Sequence, residues 1–101
     1  LAWNNKGVAL DDLGRQREAI GCYDRVIEID PDDADAWSNK GVSLGLIGQF
    51  ERAIECFEAA IRIDASNAPA WYNKGMTLKA LHQNDEAETA LAKARKLGYR
   101  E

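Results

Sequence analysis

Few side chains in this sequence could do chemistry. They are His82, Cys22 and Cys56, the Asp11-Asp12 pair, and the run DPDDAD over residues 30–35. A nucleophile–His–acid arrangement would have to use His82, the single histidine. It falls between two helical patterns, where the corresponding earlier positions are Gly14 and Gly48, and it reads as a turn residue. The DPDDAD run tempts a calcium reading, but a loop starting at Asp30 needs Gly sixth and Glu twelfth. Asp35 and Gly41 stand there instead. Acidic residues at a helix start oppose the macrodipole favourably, and that suffices to explain the run. Asp11 and Asp12 are expected to point to solvent, with no desolvating pocket to shift them. The helix glycines recur singly rather than in a phosphate-binding cluster. These residues imply no enzyme, no cofactor and no metal site.

Cys22 and Cys56 lie 34 positions apart, in equivalent places of neighbouring units. Adjacent helices pack about 8–10 Å apart, whereas a disulfide needs Cα atoms roughly 4.4–6.8 Å apart. Two free thiols are expected, and with them a reducing, cytoplasmic setting. The 101 residues suffice for one domain, and 46% apolar with 30% charged residues is an ordinary globular balance. Acidic residues outnumber basic ones 17 to 13, giving a net charge of -4, which disfavours nucleic acid as a partner. No apolar run reaches the roughly 20 residues of a membrane span. The chain opens at Leu1 without Met, in mid-pattern, which suggests a piece of a longer protein.

The elements that position these residues repeat. WNNKG at Trp3, WSNKG at Trp37 and WYNKG at Trp71 are spaced by 34 residues. Between 1–33 and 35–67 fourteen positions recur in register, among them Gly7/Gly41, Leu10/Leu44, Gly14/Gly48 and Ala19/Ala53. A fixed period of this length marks a helical repeat array. In the middle unit Trp37, Gly41, Leu44 and Ile47 form one helical stripe, and Ala53, Ile54, Phe57, Ala60 and Ile61 a second. Gly48 separates them, where a helix end calls for positive φ. Residues 64–67 offer caps for the next helix, with Pro69 in its first turn. Six helices in three antiparallel pairs follow, in repeats of about 1–33, 34–67 and 68–101. The last helix, about Asp85 to Leu97, exchanges Ile54, Cys56 and Ile61 for Glu88, Ala90 and Arg95, as a capping helix should. The first unit shows no such change, so an exposed N-terminal edge able to self-associate is expected.

These residues resemble the tetratricopeptide repeat: Trp, Gly four positions on, then Ala19/Ala53/Ala87, Tyr23/Phe57/Leu91, and Pro31 at one boundary. The resemblance covers the whole chain as a single domain, 1–101. It implies an all-α, right-handed superhelical solenoid of three helix-turn-helix repeats. Departures are Lys6, Lys40 and Lys74 where Leu is usual, Ala65 for the boundary Pro, and Val26 for a small Ala. Helix-interior glycines such as Gly75 cost about 1 kcal/mol relative to Ala. They are expected to let paired helices approach, with the adjacent Trp and Ala residues sealing the contact.

Opposite the Trp/Gly/Leu stripe the helical wheel places Asn4, Asn5, Val8, Asp11 and Asp12 in the first unit. Ser38, Asn39, Val42, Gly45 and Leu46 follow in the second, and Tyr72, Asn73, Met76, Lys79 and Ala80 in the third. The resemblance implies that first helices line a concave inner surface, so these residues would form a peptide-binding groove. Asn5, Asn39 and Asn73 make a ladder of amides able to pair with any peptide backbone; equally, they can bond a neighbouring repeat or water. Val8, Val42 and Met76 read as helix-helix packing or as an apolar groove floor, with Tyr72 a ready hot spot. Lys6, Lys40 and Lys74 lie at the border of the buried face and read as ion-paired or solvated.

The family's carboxylate clamp, which holds acidic chaperone tails, needs Lys and Asn in the first unit, Asn in the second, and Lys and Arg in the third. Asn4, Val8, Asn39, Pro69 and Asn73 stand at those places, and only Asn39 matches. The resemblance therefore implies a protein–protein interaction module for a short peptide segment, but not for such tails. The alternatives are a structural scaffold fragment acting in self-assembly or spacing, and the recognition arm of an enzyme.

Overall fold

The alternation of apolar stripes and turn residues resolves, in a computed structural model that describes residues 2–100, into six α-helices. They are α1 (Ala2–Asp12), α2 (Gln16–Ile29), α3 (Ala34–Leu46), α4 (Phe50–Ile63), α5 (Ala68–Ala80) and α6 (Asn84–Lys96). Leu1, from which the exposed N-terminal edge was expected, lies outside the described residues.

Local chemistry starts and stops these helices. The Asp33 carboxylate accepts from the Ala36 N–H at 3.0 Å, and the Asn67 amide oxygen from the Ala70 N–H at 3.1 Å. Each bond satisfies one orphan donor at the start of α3 or α5. The odd helices all end alike. The N–H groups of Arg15, Gln49 and Gln83 donate back to the carbonyls of Leu10, Leu44 and Leu78 at 2.8, 2.9 and 3.0 Å. That closure needs a left-handed residue just before it, and Gly14 (φ 78°), Gly48 (φ 82°) and His82 (φ 62°) supply it. His82 is thus a turn residue held in a conformation that costs a side chain with a Cβ about 1–2 kcal/mol.

Helices pair as α1/α2, α3/α4 and α5/α6, and each pair stacks on the next. Among the described residues α1 touches α3 and α3 touches α5, whereas α2 and α4 do not meet, nor do α4 and α6. The odd helices are therefore closer together and line the concave side of an all-α repeat solenoid. In α6 Glu88 and Arg95 are exposed where Ile54 and Ile61 of α4 are half-buried. Its acidic first turn and basic last turn also suit the helix dipole.

The glycine in each odd helix faces the large side chain of its partner helix. A Cβ on Gly41 would lie 2.5 Å from Cε1 of Phe57, and one on Gly75 2.7 Å from Cγ of Leu91. Gly7 faces the Tyr23 ring in the same way. Tyr23 and Phe57 are each 1% exposed, and Ala19, Ala53 and Ala87 are buried beside these contacts. The ring, rather than the adjacent Trp, is what the glycine admits. The Trp37 and Trp71 indole N–H groups donate to the carbonyls of Pro31 and Ala65, both at 2.9 Å, at the repeat junctions. Their rings are only half-buried because that hydrogen bond holds them at the edge of the pair.

Gly45 differs, since a Cβ there would meet nothing within 4 Å. Two substitutions separate the cases. Gly41→Leu should destabilise by about 1–3 kcal/mol through overpacking against Phe57. Gly45→Ala should stabilise by about 0.5–1 kcal/mol through helix propensity. Urea unfolding midpoints that move in the same direction for both would refute this packing account.

Candidate functional site

The concave surface begins with a half-buried polar knot. Tyr23 Oη donates to Asp11 Oδ2 at 2.7 Å, and Ser43 Oγ lies 2.8 Å from both Asp11 carboxylate oxygens. Gln16 Nε2 donates to the Asp11 carbonyl at 3.0 Å. Ser43 is fully buried. Asp11 therefore does not point to solvent as its place on the helical wheel suggested. It joins its own repeat to the next, because Ser43 of α3 supplies a donor that no reading of α1 alone reveals. Burial, and then the hydrogen bond to Asp11, push the Tyr23 phenol well above its ordinary range.

The repeated lysines also have partners. Lys40 Nζ lies 2.7 Å from Asp24 Oδ1 and Lys74 Nζ 3.3 Å from Glu58 Oε2, each reaching back to the preceding repeat. Lys6, Lys40 and Lys74 sit 5.3, 5.8 and 5.5 Å from the ring centroids of Trp3, Trp37 and Trp71. With one partner of each ion pair well exposed, the pairs contribute about 0–1 kcal/mol apiece. Both pairs lie across a repeat junction.

The residues read as the groove divide into three sets. Val42, Leu46, Asn73 and Met76 come together around an opening of about 200 Å³ between α3 and α5. Asn5, Val8, Asp12 and Lys79 are exposed on the inner helices, and Asn39 is half-buried. The third set is otherwise engaged. Ser38 is buried, so its hydroxyl is not offered to a ligand. Asn4 Nδ2 donates to Asp33 Oδ2 at 3.3 Å, and the Tyr72 ring stacks on Tyr99 with centroids 4.4 Å apart. These three occupy one position of the repeat, and Asn4 and Tyr72 find their partners in the segment that follows the second helix. Sequence reading missed Phe50, Phe57 and Thr77 as lining residues of the opening. The signal for them was the change of side chain from one repeat to the next.

Among the described residues no side-chain hydrogen bond within the protein engages the amides of Asn5, Asn39 or Asn73. One stands on the inner helix of each repeat, Asn5 exposed and Asn39 and Asn73 half-buried. No group of three metal-ligating side chains occurs among the described residues. Nor is any described helix long and apolar enough to cross a membrane. Cys22 and Cys56 are buried free thiols, and burial pushes the Cys56 thiol up from its ordinary range. The surface thus offers amide donors and acceptors, an apolar recess and a few exposed charges. That inventory suits noncovalent recognition of a polypeptide.

Comparison with known proteins agrees with this architecture. One tetratricopeptide repeat family model matches residues 1–33 and 34–67, and a second tetratricopeptide repeat model matches residues 56–89. No curated protein matches the sequence. Among solved structures the chain is similar to the second TPR of Spaghetti bound to the HSP90 peptide SRMEEVD, with TM-score 0.92 and 25% identity over 95% of this chain and 89% of that one. It is also similar to the first TPR of Spaghetti bound to the same peptide, with TM-score 0.94 and 23% identity over 96% and 77%. The structure of MamA aligns with TM-score 0.89 and 26% identity, over 95% of this chain and 56% of MamA.

The knot makes a pH-dependent prediction. Because the folded state holds the Tyr23 proton more tightly, this contribution is complete below the phenol's unfolded pKa of about 10. It is lost as pH rises beyond that toward the raised folded value. Tyr23→Phe should cost about 1 kcal/mol at neutral pH and flatten the fall in stability above about pH 10. Unfolding midpoints from pH 7 to pH 11 test this, and an unaltered alkaline limb in the variant would contradict it.

Proposed function

The chain belongs to the tetratricopeptide repeat family, and from that premise we propose that its concave face grips a short extended segment of a partner protein. Tetratricopeptide domains are protein-interaction modules. The observation that carries the finer reading is the gathering of Val42, Leu46, Asn73 and Met76 around one recess on the concave side. The Asn5, Asn39 and Asn73 amides run along the same side. Each can accept from one backbone N–H of a bound peptide and donate to its carbonyl, which gives affinity without demanding a sequence. The apolar recess then supplies selectivity.

The two Spaghetti domains are described as bound to an HSP90 peptide. That supports a peptide as the class of ligand here, but this chain lacks the charges for an acidic tail. At the positions of a carboxylate clamp it carries Asn4, Val8, Asn39, Pro69 and Asn73, with no Lys or Arg among them. Asn4 is moreover committed to Asp33. The exposed Asp12 and the net charge of -4 add repulsion.

Two measurements test the proposal. A random-peptide display selection should enrich peptides on the parent chain, and the enrichment should vanish on a folded variant with Asn5, Asn39 and Asn73 changed to Ala. Equal enrichment on both, or on neither, would favour a scaffold role. The peptide SRMEEVD should show no binding in the low micromolar range by fluorescence polarisation, and a Kd in that range would overturn the assignment of ligand class.

A further inference from the structure

The 34-residue period gives the molecule an internal control. The spaces between α1 and α3 and between α3 and α5 are built from corresponding residues, yet four polar positions change together. Asp11 becomes Gly45, Asp12 becomes Leu46, Gln16 becomes Phe50 and Tyr23 becomes Phe57. In the first space the Asp11 carboxylate bridges to Tyr23 and Ser43, while Gln16 closes on the Asp11 carbonyl. In the second, Thr77 stands in for Ser43 and turns its hydroxyl to the Asn73 carbonyl of its own helix at 2.7 Å. No carboxylate stands at position 45 to cross the gap. What remains is the opening of about 200 Å³, walled by Val42, Leu46, Phe50, Phe57, Met76 and Ala80. Cavities of roughly 150 Å³ accept a benzene ring, so one large apolar side chain fits.

Gly45 creates this opening at a cost in helix stability that internal packing does not explain. A Cβ on Gly41 would strike Phe57, but one on Gly45 would meet only open space. A residue with a side chain would fold there, and would fill the recess.

The inner helices on either side of α3 carry exposed charges of opposite sign, neither of which lines the recess itself. Asp12 is exposed on α1, at the position equivalent to Leu46, and Lys79 is exposed on α5, equivalent to Gly45. Neither forms an ion pair among the described residues. We infer that the opening between α3 and α5 is the anchor pocket for one Leu, Met or Phe side chain of an extended partner segment. That segment carries a basic residue on the α1 side of the anchor and an acidic residue on the α5 side. Inner helices spaced roughly 8–10 Å apart and an extended rise of roughly 3.3 Å per residue put the basic residue about three to five positions from the anchor. The inference rests on the peptide-groove reading and specifies its ligand.

The experiment uses a display library of random dodecapeptides on three proteins: the parent, the Asn5/Asn39/Asn73→Ala variant, and the double variant Gly45→Asp with Phe57→Tyr. The double variant transplants the Asp11–Tyr23 chemistry into the second space and fills the pocket with a carboxylate. Its helicity and cooperative unfolding are checked by circular dichroism, with Gly45→Leu as a second pocket-filling variant should the double variant misfold. The expected result is a parent consensus with one large apolar residue and a basic and an acidic residue on opposite sides. Synthetic consensus peptides should then bind the pocket-filled variant at least tenfold more weakly. Replacing the apolar anchor by Ser should weaken parent binding similarly and have little effect on the filled variant. If enrichment depends on the three Asn residues while filling the pocket changes nothing, the groove reading stands and the anchor pocket is refuted. If the consensus carries no apolar residue or no flanking charges of that order, the inference is likewise overturned. No enrichment on the parent overturns both.

Discussion

The contact on which the structure depends is the seat that a helix-interior glycine provides for a large side chain of its partner helix. Gly7, Gly41 and Gly75 receive Tyr23, Phe57 and Leu91, and in each case even a methyl group would collide. Helix propensity opposes glycine there by about 1 kcal/mol, and burial of a large side chain, on the order of 1.5–3 kcal/mol, outweighs it. The seat sets the closeness of the helix pair. It also sets which residues of the odd helix remain on the opposite, concave side.

Repeats are joined by means distinct from those that join helices within a repeat. Lys40 and Lys74 reach back to acids of the preceding repeat, and Trp37 and Trp71 hold carbonyls of the junctions. Because these contacts lie away from the inner face, that face is left free to vary between repeats. Variation has produced a polar, filled space between the first two inner helices and an apolar, open one between the last two. In an array of quasi-independent units, a change in one inter-repeat space need not disturb the others.

Close packing and open surface draw differently on the same kind of residue. Gly41 is required by packing, whereas Gly45 is not, and it is Gly45 that opens the recess. His82 likewise holds a left-handed turn that glycine occupies in the other repeats. Both positions depart from the most stable choice, but only Gly45 leaves an open recess behind.

Most of the fold was legible in the sequence because its determinants are local. The 34-residue period, the capping Asp33 and Asn67, the left-handed positions at 14, 48 and 82, and the polar last helix all act within a few residues of themselves. They sufficed for six helices and three repeats, while the concave row of inner helices followed only from the resemblance to the family. The candidate site was only partly legible, since a helical wheel gives a direction about one axis and says nothing of what a neighbouring helix brings. Asp11 and Asp12 are adjacent and look alike in sequence. Tertiary packing half-buries Asp11 against Tyr23 and Ser43 and leaves Asp12 in solvent. Asn4, Ser38 and Tyr72 shared the wheel's polar side with Asn5, Asn39 and Asn73, yet Asn4 bonds Asp33, Tyr72 stacks on Tyr99 and Ser38 is buried. The recess at Gly45 is a property of two helices and the ring between them, so only the assembled structure decides that it exists.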